Sequence, residues 1–197
     1  MVSTATFLSL GGLFFLCGLL HLSPQIALND ARAFRLLHNR LRALTSMARL
    51  LWHLGRTPFT LLALLIYVLW RPQAGLIVSA TYLAAALLEA AIKRLLQRAR
   101  PFQVIPDAVM SQPRRPEDPS FPSGDALRVW FLAVGAALVL GLPAWGAAPL
   151  FGLAVLVSLG RIVMGVHYPL DVIGGSGLGI AAAGLAQYLI QMLLFSV

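Results

Sequence analysis

The chain has 197 residues, of which 59% are hydrophobic and 11% charged, and a formal net charge of +8. Composition of that kind excludes a water-soluble globule, and the length fits one domain, read as 1–197. The arginines share their segments with apolar runs rather than with a base-reading motif, so the basic balance excludes nucleic acid as partner and points to anionic membrane lipids.

No Lys, Arg, Asp or Glu occurs in residues 1–29, Thr57–Trp70, Pro72–Leu88, Val129–Gly160 or Val172–Val197. A membrane helix needs about 20 apolar residues. The turn signal Gly141-Leu142-Pro143-Ala144-Trp145-Gly146 divides the fourth run in two. The expected fold is all-α, a polytopic membrane protein with a six-transmembrane helix bundle at roughly 5–23, 55–70, 73–95, 123–141, 147–163 and 169–192. The first run has no basic region ahead of it and reads as a membrane helix, not a cleaved signal peptide. Cys17 lies inside it and is the only cysteine, which removes internal disulfides and cysteine-based metal sites.

Between the first two spans, at about 30–54, Arg32, Arg35, Arg40, Arg42 and Arg49 alternate with Phe34, Leu37, Leu41, Leu44, Ala48 and Leu51. The apolar set recurs every three or four residues. That predicts one amphipathic helix lying in the interface, with Asn29 or Asp30 to cap it and Gly55 to end it before Pro58. Arg71-Pro72-Gln73 predicts a tight hairpin. The third span ends in Glu89, Lys93, Arg94, Arg98 and Arg100-Pro101, where Glu89 is one turn before Lys93 and can orient it as a supporting residue. Phe102–Phe121 holds four prolines and is a loop long enough to form a rim over a site.

Three blocks, 93–101, 122–125 and 161–171, fall where apolar runs meet water. Lys93 and Arg100 are seven residues apart and, on a continuing helix, would face the same way. Ser123 offers a hydroxyl, and Ser123 and Gly124 offer free backbone N–H groups at a helix start. Arg161 adds a planar fork for phosphate oxygens. His167 supplies a nitrogen able to attack phosphorus in line, and Asp171, four residues on, can hold its other ring nitrogen. No metal-ligand set and no cofactor motif is visible, and the three cations can neutralise transition-state charge themselves.

Lys93-x6-Arg100-Pro101, Pro122-Ser123-Gly124 and Arg161-x5-His167-x3-Asp171 resemble the motifs of the type 2 phosphatidic acid phosphatase (PAP2) family of membrane lipid phosphatases. The resemblance implies a metal-independent hydrolase working through a phosphohistidine. It makes Lys93, Arg100, Ser123, Gly124 and Arg161 phosphate-binding, His167 the nucleophile and Asp171 its orienting partner. Two positions depart from the family pattern. Gly160 stands where the family has serine, and Asp125 stands where the family has the histidine that protonates the leaving oxygen.

As a carboxylic acid, Asp125 is expected to be a weaker acid catalyst, or one that favours acidic pH. An alkoxide leaving group needs that proton, whereas a phosphate leaving group does not. The expected substrate is therefore a lipid diphosphate, such as the polyprenyl lipid undecaprenyl diphosphate. Two alternatives share the site: a phosphotransferase passing phosphate from His167 to a second lipid, and a catalytically weak lipid-phosphate binder. Nothing identifies a protein partner. The protein is expected in the cell membrane as a multi-pass protein. Of the 15 Lys and Arg, all but Arg71 fall on the motif side, which by the positive-inside rule places the motifs in the cytoplasm. The family resemblance implies the outer face, which is the expectation taken here.

Overall fold

A bilayer offers no partners to backbone N–H and C=O groups, so an uncharged run must satisfy them within itself. In the computed structural model, which describes residues 4–195, every such run is helical and the described residues contain no strand. The outermost residues of the expected domain, 1–3 and 196–197, lie outside the described residues. The helices are α1 (Thr4–Leu19, continued as a 3₁₀ turn to Leu22), α2 (Pro24–Arg40), α3 (Thr45–Trp52), α4 (Thr57–Trp70), α5 (Pro72–Leu96), α6 (Pro101–Val104), α7 (Gly124–Val139), α8 (Ala144–Val163) and α9 (Pro169–Leu194).

Four of these are long and apolar enough to cross a bilayer alone: Thr4–Leu22, Pro72–Val104, Ala144–Val163 and Pro169–Leu194. Arg42–Gly55 with Thr57–Trp70, bent by 42°, makes a fifth. α7 has 16 residues, about 24 Å of helix, and is buried along most of its length. By length, then, the described residues hold four or five spans where six were expected.

α9 is the hub. α1, α5 and α7 pack on it, and glycines let two of them come close. A Cβ at Gly177 would lie 2.6 Å from the Gly11 carbonyl oxygen of α1, and one at Gly179 would lie 3.0 Å from the Leu127 carbonyl carbon of α7. Small residues at such spacing replace the hydrophobic effect, which cannot drive one apolar helix onto another in lipid. The outward faces carry Leu61, Leu65, Leu69, Leu76, Leu83 and Leu87, all exposed, as suits contact with acyl chains.

The interfacial helix expected at about 30–54 is instead two helices, beginning at Pro24 and broken by a 3₁₀ turn at Arg42–Leu44. Phe34 of α2 packs with Ile162 and Tyr168, while Ala48 and Trp52 of α3 pack with Val163 and Met164. The bend lets one amphipathic segment wrap the last turn of α8. A Cβ at Gly160 would lie 3.4 Å from that of Ala48, so a serine there would press its hydroxyl towards α3.

Candidate active site

α5 carries Lys93 near its end and stops at Leu96. Gln97 takes the left-handed conformation, φ 47°, and its N–H bonds the Lys93 carbonyl, a common way to close a helix. Lys93 and Arg100 therefore do not share a helical face, contrary to the spacing argument. A residue before proline avoids the α region, and Arg100 is extended at φ −79° and ψ 154°. The turn, not helical periodicity, swings Arg100 back towards Lys93.

Both cations meet on Asp118, in the loop before α7. Arg100 Nε donates to the Asp118 carbonyl at 2.8 Å and Arg100 Nη2 to Asp118 Oδ1 at 2.9 Å. Lys93 Nζ bonds Asp118 Oδ2, and pairs with Glu89 at 3.1 Å. Burial pushes the Asp118 carboxyl up, but Lys93 and Arg100 outweigh it and hold the pKa at about 2.

His167 sits in the turn between α8 and α9 and is buried. Its Nε2 lies 3.1 Å from Arg100 Nη1. Its Nδ1 is 3.5 Å from Ser120 Oγ and 3.7 Å from Asp171 Oδ2. A neutral ring in these surroundings keeps its proton on Nδ1 and a lone pair on Nε2. Burial first, then the Arg100 guanidinium, lowers its pKa to about 3.

Asp171, the third residue of α9, accepts Ser120 Oγ–H at 2.6 Å, Tyr168 N–H at 2.8 Å and Arg98 Nη1 at 2.5 Å. The bond to Tyr168 N–H also caps α9, whose first residue is Pro169. Arg98 continues to Asp30 Oδ2 at 2.7 Å, and Asp30 Oδ1 accepts Leu170 N–H at 3.1 Å. The Arg98 guanidinium lies 4.2 Å from the centre of the Tyr168 ring. One arginine thus ties α2, the end of α5 and the start of α9 behind the histidine.

At the start of α7, Ser123 N–H donates to the Asp171 carbonyl at 3.0 Å. The pair of free N–H groups expected at Ser123 and Gly124 loses its first member. The Ser123 hydroxyl is buried without a partner. A Cβ at Gly124 would fall 2.9 Å from the Glu89 carboxyl carbon, so glycine lets that carboxylate lie against the start of α7 without moving. Asp125 accepts Trp52 Nε1–H at 3.1 Å and a hydrogen of Arg128 Nη2 at 2.5 Å, and forms an ion pair with Arg161 Nη2 at 3.0 Å. Arg161 also reaches Gln112 Oε1 at 2.5 Å, while its Nε and Nη1 are buried without partners.

Glu89, Lys93, Arg100, Gly124, Asp125, Arg161 and His167 line one cavity of about 540 Å³. Ser123 and Asp171 are buried behind it. Buried donors lacking an acceptor are costly. The hydroxyl of Ser123 and the two unpartnered nitrogens of Arg161 are groups that phosphate oxygens would satisfy. Sequence reasoning gave no role to Ser120, Arg98, Asp118, Trp52, Gln112 or Arg128, and it read Asp30 as a helix cap, whereas α2 already starts at Pro24 and Asp30 lies inside it, facing Arg98. Asp30 did carry a signal, as the one carboxylate in an arginine-rich amphipathic segment. The others pair across 18 to 73 residues of sequence, where only folding joins them, except that Arg128 also meets Asp125 at the local spacing of three residues.

Residues 74–194 match the model of the PAP2 superfamily. The chain is 36% identical over 157 residues to an undecaprenyl-diphosphatase of Sulfolobus acidocaldarius, covering 76% of this chain and 73% of that one. Its fold is similar to the crystal structure of a transmembrane PAP2 type phosphatidylglycerolphosphate phosphatase from Bacillus subtilis, with a TM-score of 0.79, 23% identity, and 96% of this chain and 98% of that chain covered. It is also similar to the structure of Aquifex aeolicus LpxE, with a TM-score of 0.68, 27% identity, and coverage of 78% and 91%.

Proposed function

The chain belongs to the PAP2 superfamily and is a multi-pass membrane lipid phosphatase, and we propose that within that class it removes the terminal phosphate of a polyprenyl diphosphate through a phosphohistidine on His167. The observation that carries the nucleophile is its setting. Nε2 keeps its lone pair because the ring is buried beside Arg100, and Nδ1–H faces Ser120 and Asp171. As the phosphate binds, Arg100 Nη1 turns from Nε2 to a phosphate oxygen. Nε2 then attacks the terminal phosphorus in line, and the bond from that phosphorus to the bridging oxygen breaks with its electron pair leaving on the lipid monophosphate. Lys93, Arg100, Arg161 and Ser123 Oγ take the three equatorial oxygens, with Gly124 leaving room for them. Water next attacks the phosphorus, the P–N bond breaks, and its electron pair returns to Nε2.

The diphosphate preference rests on Asp125. Its three polar partners are all donors, Trp52 Nε1, Arg128 and Arg161, so a protonated carboxyl would set its own proton against donors. The reading makes Asp125 an anchor for the arginines. A leaving phosphate departs without a proton, whereas a lipid alkoxide does not. The tail has room beside the site. An apolar cavity of about 360 Å³ between α4, α7 and α9 begins at Leu54, Phe59 and Val129, next to Thr57, Pro58 and Arg128 of the polar one.

We place the site on the outer face. Lys93, Arg98, Arg100, Arg128 and Arg161 are engaged with protein acceptors in and behind the site, and Arg49 donates to the Ser111 carbonyl at 2.7 Å. These charges serve the fold and the chemistry, which discounts them as topology signals. Phosphate release by purified protein from a polyprenyl diphosphate, with the phosphatidate monoester alongside, tests the function. Release that persists undiminished in His167→Ala, or a monoester cleaved faster than the diphosphate at neutral pH, would overturn it.

A further inference from the structure

Arg128 has no counterpart in the motif blocks, yet it lines the same cavity as His167. It is fixed there with care. Nε donates to the Gly55 carbonyl at 2.6 Å and Nη2 to Asp125 Oδ1 at 2.5 Å, while Nη1 lies 4.0 Å from Glu89 Oε2, too far for a hydrogen bond. Gly55 is what lets the backbone supply that carbonyl, since a Cβ there would lie 3.0 Å from Asp125 Cβ. The guanidinium is therefore held from two sides, and its remaining nitrogen faces Glu89 only across a long ion pair.

Its place is one step out from the reacting centre. Arg100 touches His167, and Lys93 shares Asp118 with Arg100. Glu89 comes next, 3.1 Å from Lys93, and Arg128 stands beyond Glu89. A second phosphate attached to one held by Lys93, Arg100 and Arg161 would need a cation there. The charge of the cavity agrees. Its lining holds seven basic and four acidic side chains, an excess of three. That matches the charge of about −3 on a lipid diphosphate better than the roughly −2 of a monophosphate.

We infer that Arg128, positioned by Asp125 and Gly55, is a specificity-determining residue that binds the leaving lipid monophosphate. This rests on the diphosphate-hydrolase reading. In the step, the lone pair of His167 Nε2 forms a bond to the terminal phosphorus. The bond from that phosphorus to the bridging oxygen breaks, and its electron pair stays on the bridging oxygen. The lipid monophosphate leaves as an anion held by Arg128, with no proton transferred to it. Positive charge at position 128 thereby stands in for the general acid that Asp125 does not supply.

The test compares kcat/KM for a farnesyl diphosphate and a farnesyl monophosphate in detergent, in wild type, Arg128→Gln, Arg128→Lys and the pair Arg128→Gln with Asp125→Asn. Inhibition by methylenediphosphonate and by inorganic phosphate is measured in each. Losing a charge-assisted hydrogen bond costs about 10- to 100-fold. The diphosphate-to-monophosphate ratio should fall by that factor in Arg128→Gln and in the pair, and be partly kept in Arg128→Lys. Methylenediphosphonate should lose inhibition while phosphate keeps it. A ratio that stays constant while both substrates slow together would make Arg128 merely structural and overturn the inference. The pair guards against misreading an unpaired Asp125 as lost recognition. A wild-type enzyme that prefers the monophosphate or cleaves neither lipid would instead sink the underlying reading, and the inference with it.

Discussion

Asp118 sits on the two cations that a phosphate would need. In Asp118→Asn the side chain keeps its size and loses its charge, so Lys93 and Arg100 are released to an incoming anion. The magnitude follows from exposure. Lys93 and Arg100 are buried, but the Asp118 side chain is 52% exposed, and solvent screening holds each such pair to about 1 kcal/mol or less. Two pairs give about 1–2 kcal/mol, or about 5- to 30-fold in affinity. The inhibition constant of inorganic phosphate, and the KM of the lipid substrate, should fall by that factor, with kcat changing less. Asp118 has a pKa of about 2, so it stays ionised down to well below pH 4. The competition should therefore look the same from pH 5 to pH 8. A phosphate inhibition constant that stays put or rises in a folded Asp118→Asn protein would refute the reasoning and make Asp118 a brace for the cations.

The pKa of His167, about 3, means that Nε2 is unprotonated above that value and becomes blocked only as pH falls through it. Once the substrate's own ionisation near pH 6 is allowed for, kcat/KM should stay level from pH 8 to pH 5. A limb centred near 6.5 and lost in no other way would contradict the buried setting. Arg98→Met leaves Asp30 and Asp171 without their shared cation. Breaking a buried pair costs about 3–5 kcal/mol, so thermal stability in detergent should drop sharply, and a melting curve like that of wild type would count against the bridge. Gly179→Ala forces a Cβ against the α7 backbone. It should cost about 1–3 kcal/mol, read in the same melt. For orientation, Ser111 turns its hydroxyl inward, whereas Glu117 is exposed. A Glu117→Cys protein in a Cys17→Ala background should react with an impermeant thiol reagent added to intact cells, and protection there would move the site to the cytoplasm.

The sequence by itself determined the helical class. Uncharged runs longer than about 20 residues have no other way to satisfy their backbone in lipid. It also determined which residue types would gather, because Lys93, Arg100, Arg161, His167 and Asp171 are charged or titratable groups at the edges of such runs. Local spacing went wrong where local rules compete. Lys93 and Arg100 are seven apart, but Gln97 ends the helix between them. The amphipathic segment reads as one helix, yet it bends because α8 offers Phe34 and Ala48 separate seats. Only the tertiary structure decided what Asp125 touches, that Asp118 covers the cations, and that Arg98 joins Asp30 to Asp171. Apart from Asp125 with Arg128, three residues on, each of those contacts is between charges or dipoles far apart in the chain. Sequence periodicity carries no record of such distances, because a side chain's charge says that it needs a partner and not which one the fold will bring.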